Sequence, residues 1–315
     1  MARNKNFEPR GVIPATLLAL NSDMGIDEAA SRKHLADCAL IDGVAAVTVN
    51  GHASEVHACT TDEQKRILEF SLDEVGDKVP LVNGVYADGS HEAQRLARMS
   101  HDAGASCLLV FPPQSLTMGG VTRPEAVIEH FRMIADATDL PLIVFRYPQA
   151  SNLAYPFETM LELFEAVPTI RAIKDWCNDP KLHERHIRTF QSLERPVHVL
   201  TTHSAWLMSS LVMGANGLLS GMGSVAADLQ VALFRAIQDK DLAKAQVINE
   251  QLYPLQQVFY ADPFVDMHNR MKEALVMLGR LDQAHMRPPL MKLVQSELDR
   301  IREALRQSGL LGEAG

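Results

Sequence analysis

The segment PTIRAIKDW, residues 168–176, puts a lysine where an apolar side chain is expected. A proline opens it, and Ile170 and Ala172 alternate with outward positions as in a short buried strand. Lys174 takes the next inward slot. Burying an ammonium is costly unless it is paired or neutralised. Burial disfavours the charged form and so lowers a lysine's pKa. A neutral amine in a cavity is a nucleophile toward ketones and aldehydes, so imine chemistry is one reading of Lys174. The other is an ammonium that snorkels to solvent or pairs with Asp175. The remaining nine lysines fall in helical, loop or terminal patterns.

Other chemistry-bearing residues form weaker patterns. His52, His57, His91 and His101 lack a metal-ligand spacing with a carboxylate, and no metal is implied. HERH at 183–186 is not H-E-x-x-H, and its charged neighbours predict a solvated helix face. Cys38, Cys59, Cys107 and Cys177 are scattered without a C-x-x-C, as expected of reduced core thiols in a cytoplasmic protein. SGMGS at 220–224 could bind phosphate at a helix start or leave room for a substrate.

The elements that must hold Lys174 have a regular rhythm. Pro80, Pro141, Pro168 and Pro196 each stand just before an apolar strand-like run. GVIPATL (11–17), VAAVTVN (44–50), SCLLVF (106–111) and NGLLSG (216–221) bring the candidate strands to eight. Helical patterns lie between them, with Asp27, Thr61 and Ser90 as expected N-caps and Gly104 as a C-terminal glycine. Eight strand–helix units over roughly 240 residues predict an α/β fold, a (β/α)8 TIM barrel. A doubly wound sheet lacks support, because no G-x-G-x-x-G follows the first strand. Beyond residue 239 the pattern is helical with no strand between, so we expect a barrel over 1–239 and a C-terminal helical extension over 240–315.

The bulk numbers agree with a large enzyme-sized core. The 315 residues are 47% hydrophobic, with net charge −9 and both signs interspersed. No basic stripe suggests nucleic acid, no apolar run is long enough to span a membrane, and the polar start MARNKNFEPR has no signal-peptide core.

Several of these segments, in order, resemble the dihydrodipicolinate synthase / N-acetylneuraminate lyase family. AIKDW is similar to the segment carrying its Schiff-base lysine, which falls on Lys174. DLPLIVFRYP resembles its strand-five Tyr-Asn-x-Pro motif, and VNGHASE resembles its carboxylate-holding loop. The likeness runs from GVIPATL through QVINEQLYPL to RPPLMKL. It implies a barrel with C-terminal helices, a homotetramer or dimer, no cofactor, and chemistry on pyruvate or another small 2-keto acid through a lysine imine.

Three departures matter. The family's proton-shuttling tyrosine falls on Phe145, whose ring can neither donate nor accept a proton. The hydroxyl pair of the loop Gly51–Ser54 falls on His52 and Ala53. The site-mouth tyrosine falls on Pro113 or Gln114. An ordinary dihydrodipicolinate synthase or sialic acid lyase is therefore disfavoured. Tyr147 has the strand parity of Phe145 and is the leading substitute for the lost hydroxyl; Tyr86, His52 and water are the others. Trp176 shares the parity of Lys174 and can wall the pocket, Thr202 and His203 are expected on its rim, and Leu219 and Ser220 lead into the segment that lines it. The expected function is a lyase of aldolase, dehydratase or synthase type. The alternatives are an impaired member that binds a keto acid or regulates a partner, and a phosphate-binding barrel isomerase.

Overall fold

A computed structural model describes residues 7–312. Its eight strands are β1 (Gly11–Pro14), β2 (Val47–Val49), β3 (Leu81–Val85), β4 (Cys107–Val110), β5 (Leu142–Arg146), β6 (Ile170–Asp175), β7 (His198–Thr201) and β8 (Gly217–Ser220). All the pairings are parallel, in the order β1-β8-β7-β6-β5-β4-β3-β2. Two single bridges, Val12 with Val44 and Ala15 with Thr48, span the remaining gap and all but close the barrel. Each expected strand is present. The first two are shorter than their apolar runs, because the chain leaves the ladder to build loops at the barrel mouth.

Helices α1 (Glu28–Ala39), α2 (Thr61–Val75), α3 (Ser90–Ala103), α4 (Pro124–Ala135), α5 (Phe157–Ala166), α6 (Pro180–Phe190), α7 (Leu207–Val212) and α8 (Gly223–Gln238) follow the strands. Asp27 caps α1 by accepting from the Ala30 N–H. Two caps lie one residue earlier than expected. Thr60, not Thr61, forms a reciprocal capping box with Glu63, and Gly89 rather than Ser90 precedes α3. Gly104 ends α3 at φ 106°, a conformation that favours glycine.

The C-terminal helices are α9 (Leu242–Phe259), α10 (Met267–Met277) and α11 (Gln295–Gln307). Leu252, Leu275 and Ile301 from these helices join the same buried apolar cluster as the barrel strands. A buried ion pair also ties them to the loop after β2. Glu55, at φ 54° and 1% exposed, receives Lys272 Nζ from α10 and, at 2.9 Å, the Arg287 N–H. Lys272 Nζ donates again to His285 O at 2.6 Å.

The start of that loop is held from the barrel side. Asn50, at φ 53°, donates to Asn83 Oδ1 and to Gln64 O, each at 2.8 Å. This geometry brings the Asn50 carbonyl against Gly84, where a Cβ would fall well inside contact distance of backbone. Gly84→Ala should therefore lower the unfolding free energy by about 1–3 kcal/mol, as overpacking does. Denaturant titration checks this, and an unchanged midpoint would contradict the close approach.

Candidate active site

Lys174 lies in register with Phe145 on β5 and Leu200 on β7, its side chain pointing into the barrel mouth. It is 6% exposed, and Nζ sits 4.1 Å from the centre of the Phe145 ring. No ion pair or hydrogen bond to Nζ occurs among the described residues, and burial lowers its pKa to about 7. Both protonation states are therefore accessible near neutrality.

Pairing with Asp175 does not occur. Successive strand residues face opposite sides, so Asp175 turns outward to α6. Its Oδ2 lies 2.8 Å from His183 Nδ1 and 2.7 Å from His186 Nδ1, and its Oδ1 accepts the Cys177 N–H at 3.1 Å. Burial by itself would raise this carboxyl, but His186 and His183 hold it well below the usual carboxylate range. Both histidines are buried, which corrects the expectation of a solvated face at 183–186. They share the inner stripe of α6 with Ile187 and Phe190, while Glu184, Arg185 and Arg188 face water.

His203 belongs to this outer cluster rather than to the rim of the cavity. Its Nε2 accepts the Asn178 N–H at 3.1 Å and its ring stacks on Trp206 at 4.1 Å. Asp175, Cys177, His183 and His203 bring possible ligand atoms within 4.8 Å of one another. Those atoms are engaged in hydrogen bonds to one another and to Asn178, Asp179 and Ser210. The cluster reads as a hydrogen-bonded support behind Lys174.

The cavity around Lys174 is lined by His52, Ala53, Phe145, Trp176 and Thr202, all expected there. The empty space among these residues, open solvent at the mouth included, is about 380 Å³. Gly221, in the 220–224 segment expected to line the site, borders it too; Ala15, Tyr260, Met267 and His268 complete the lining and were not anticipated. His268 and Met267 begin α10, directly after the break at Pro263, so the C-terminal helices supply one wall. The small residue at Gly221 admits the imidazole, since a Cβ there would lie 3.1 Å from His268 Nε2. Burial, with Lys174 nearby, lowers the His268 pKa to about 3.

Tyr147 reaches the site through His52. The tyrosine hydroxyl and His52 Nε2 are 2.7 Å apart, and the Tyr147 ring packs 4.7 Å from that of Phe145. Burial and the charge on Lys174 push the His52 pKa well below its ordinary value, and burial pushes the Tyr147 hydroxyl well above its own. The pair is therefore neutral: an imidazole and a protonated phenol.

The remaining expected residues stand further back. Tyr86 is edge-on to Phe111 at 5.4 Å, with its hydroxyl on Gln114. Ser54 Oγ donates to Thr16 O at 2.8 Å, away from the cavity. Gly51 shapes the loop by accepting from the Ser54 and Val56 N–H groups. Leu219 is buried in register with Ile13. Ser220 Oγ meets Ser204 Oγ at 2.8 Å, and the Tyr260 hydroxyl bonds both serines. The backbone N–H groups of His52 and Ala53 have no hydrogen-bond partner among the described residues.

The sequence profile of the Dihydrodipicolinate synthetase family matches residues 8–308. The chain belongs to that family. Family members are synthases and lyases, so the chain is an enzyme. It is 27% identical over 312 residues to a 4-hydroxy-tetrahydrodipicolinate synthase of Methanopyrus kandleri, covering 98% of this chain and 99% of the relative. It is 26% identical over 300 residues to YagE of Escherichia coli, described as a putative 2-dehydro-3-deoxy-D-gluconate aldolase, covering 94% and 96%. The crystal structure of YagE in complex with pyruvate superposes with a TM-score of 0.88, covering 96% of this chain and 99% of that one at 25% identity. Within the dihydrodipicolinate synthetase family, then, this member carries a phenyl ring beside the lysine and a Tyr–His pair beyond it.

The buried lysine has a stability signature. With its folded pKa near 7 and its unfolded value near 10.5, Lys174 costs most when both states are protonated, below pH 7. The cost fades as pH rises from 7 toward 10.5. A tenfold change in a protonation equilibrium is worth about 1.4 kcal/mol, so Lys174→Met should stabilise the fold by a few kcal/mol at about pH 6 and by much less at about pH 10. Denaturation midpoints at the two pH values test this; equal gains would place the amine in solvent.

Proposed function

We propose that the chain is a lyase acting on pyruvate or another 2-keto acid through an imine on Lys174. The observation that carries this reading is an unpaired, desolvated amine at the mouth of the barrel, titrating near neutrality. His52 and Ala53, whose N–H groups are free among the described residues, line the same cavity, and such N–H groups suit a substrate carboxylate. The pyruvate complex of YagE and the synthase and aldolase names of the relatives point the same way.

The neutral amine adds to the keto carbon to give a carbinolamine. Its hydroxyl leaves as water and the nitrogen becomes an iminium. Breaking the C3–C4 bond, or losing a C3 proton, sends the electron pair into the iminium as an enamine. In cleavage the C4 hydroxyl gives up its proton as the aldehyde departs. Reprotonation at C3 and addition of water free the keto acid and restore the amine. His52 lines the cavity and Tyr147 holds its Nε2, so the pair is placed to take and return these protons. The reading needs no metal or organic cofactor. Four free thiols suit a reducing compartment such as the cytoplasm. Exposed Leu242 and Tyr253 on one face of α9, with Met291 and Val294, suit a dimer or tetramer, which sedimentation above the 34.8 kDa monomer would show.

Borohydride with pyruvate should add a covalent adduct to Lys174, and Lys174→Arg should abolish it, because guanidinium stays protonated. Only the free amine attacks, so the rate of imine formation should fall as pH drops through about 7. An adduct in Lys174→Arg, or a rate flat from about pH 5.5 to 8, would rule out this amine. Tyr147→Phe should cut kcat at least about 10²-fold while trapping survives better. A loss under about threefold in kcat would mean that Tyr147 only packs.

A further inference from the structure

The end of the substrate beyond the imine must fit the walls around Lys174. Trp176 lies between two rings almost parallel to it, Phe145 at 6.3 Å and 27° and Phe264 at 5.6 Å and 25°. Met267 adds a thioether to the same cavity. Among the described residues, no carboxylate, guanidinium or second ammonium lines it. The nearby cations are committed elsewhere. Lys272 is bound to Glu55, Arg287 holds Glu63 at 2.5 and 2.9 Å, and Arg146 donates to Tyr147 O at 2.9 Å from the outward side of β5.

Hydroxyl-bearing residues are mostly spent as well. The Tyr260 hydroxyl is bonded to Ser204, Ser220 and the Met222 backbone, and Ser54 Oγ is turned to Thr16 O. Thr202 and the two imidazoles remain. They can meet one hydroxyl next to the reacting carbon. They cannot meet the several hydroxyls of a sugar acid, and a buried hydroxyl without a partner is costly. A second carboxylate would find no cation besides the amine that the imine consumes.

Resting on the imine reading above, we infer that this enzyme takes 2-keto acids whose distal end is uncharged and apolar, aryl in preference to polyol or dicarboxylate. Phe145 and Phe264 cover the faces of Trp176, so the wall offers apolar ring edges, and an edge-on ring is favoured there over hydrated groups.

The test is competitive borohydride trapping, which depends on imine formation and not on the bond broken later. Pyruvate is the reference, and 2-oxo-4-phenylbutanoate, 2-oxoglutarate and 2-dehydro-3-deoxygluconate compete with it. The phenyl acid should displace pyruvate at a concentration at least about tenfold lower than either rival. In Trp176→Ala that ratio should fall toward one. Pyruvate trapping together with equal or better competition by the diacid or the sugar acid would overturn the apolar class and leave the imine mechanism standing. A ratio unmoved in Trp176→Ala would likewise overturn it. Failure of pyruvate itself to trap would instead remove the imine reading, and this inference with it.

Discussion

An amine must stay buried without a counter-ion, and much of the structure around the barrel mouth answers that constraint. Asp175 and Glu55, the carboxylates of β6 and of the loop after β2, are engaged elsewhere. Asp175, its neighbour in sequence, faces the opposite side of β6 and is held by His183 and His186. Glu55, in the loop that borders the cavity, is held by Lys272. A carboxylate beside Lys174 would raise its pKa and keep the nitrogen protonated. Phe145 does the reverse, presenting a ring face to Nζ and excluding water. The ring's attraction for the ammonium is modest beside the cost of desolvation, and the net shift is downward to about 7.

The same requirement explains why the C-terminal helices are more than an appendage. Glu55 is buried and adopts a left-handed backbone conformation, so it needs a cation that the barrel does not supply. Lys272 on α10 provides it, and Arg287 adds a backbone N–H to the carboxylate while its guanidinium holds Glu63. Breaking a buried pair by removing one partner typically costs about 3–5 kcal/mol, because an uncompensated charge remains. The loop that positions His52 and Ala53 is thereby fixed from outside the barrel. The helix that fixes it also delivers Met267 and His268 to the cavity wall.

How far the site could be read in advance depends on whether a residue's direction follows from local periodicity. Lys174, Phe145 and Trp176 sit on or beside strands with a period of two, and their inward direction was legible. Tyr147 was legible by parity, but its partner His52 is 95 residues away, and their contact depends on how the β2 loop folds over the mouth. His203 was expected on the rim from its place just after β7, but the chain has already turned there and its ring packs on Trp206. On α6 the charged neighbours masked the i, i+3 spacing of His183 and His186, which with Ile187 and Phe190 marks the inner face. Tyr260, Met267 and His268 carried no local signal beyond the break at Pro263, because the docking of a helix on a barrel is not written in its period.

Electrostatics in so small a space also limits how the proposed proton relay can work. Lys174 suppresses a second positive charge on His52. Before the imine forms, a proton entering the site goes to the lysine, whose pKa is the higher of the two. In the proposed reaction the iminium is a charge that cannot be titrated away while the bond lasts, and it would keep His52 neutral. An imidazolium would therefore not accumulate. Proton transfer through the proposed pair has to be coupled to bond making and breaking in the substrate, so that one proton arrives as another leaves. A neutral imidazole bonded to a phenol can do that without raising the charge of the cavity. With Phe145 beside the amine, a hydroxyl at the other end of His52 keeps the exchange within reach of the substrate and leaves the amine itself dry.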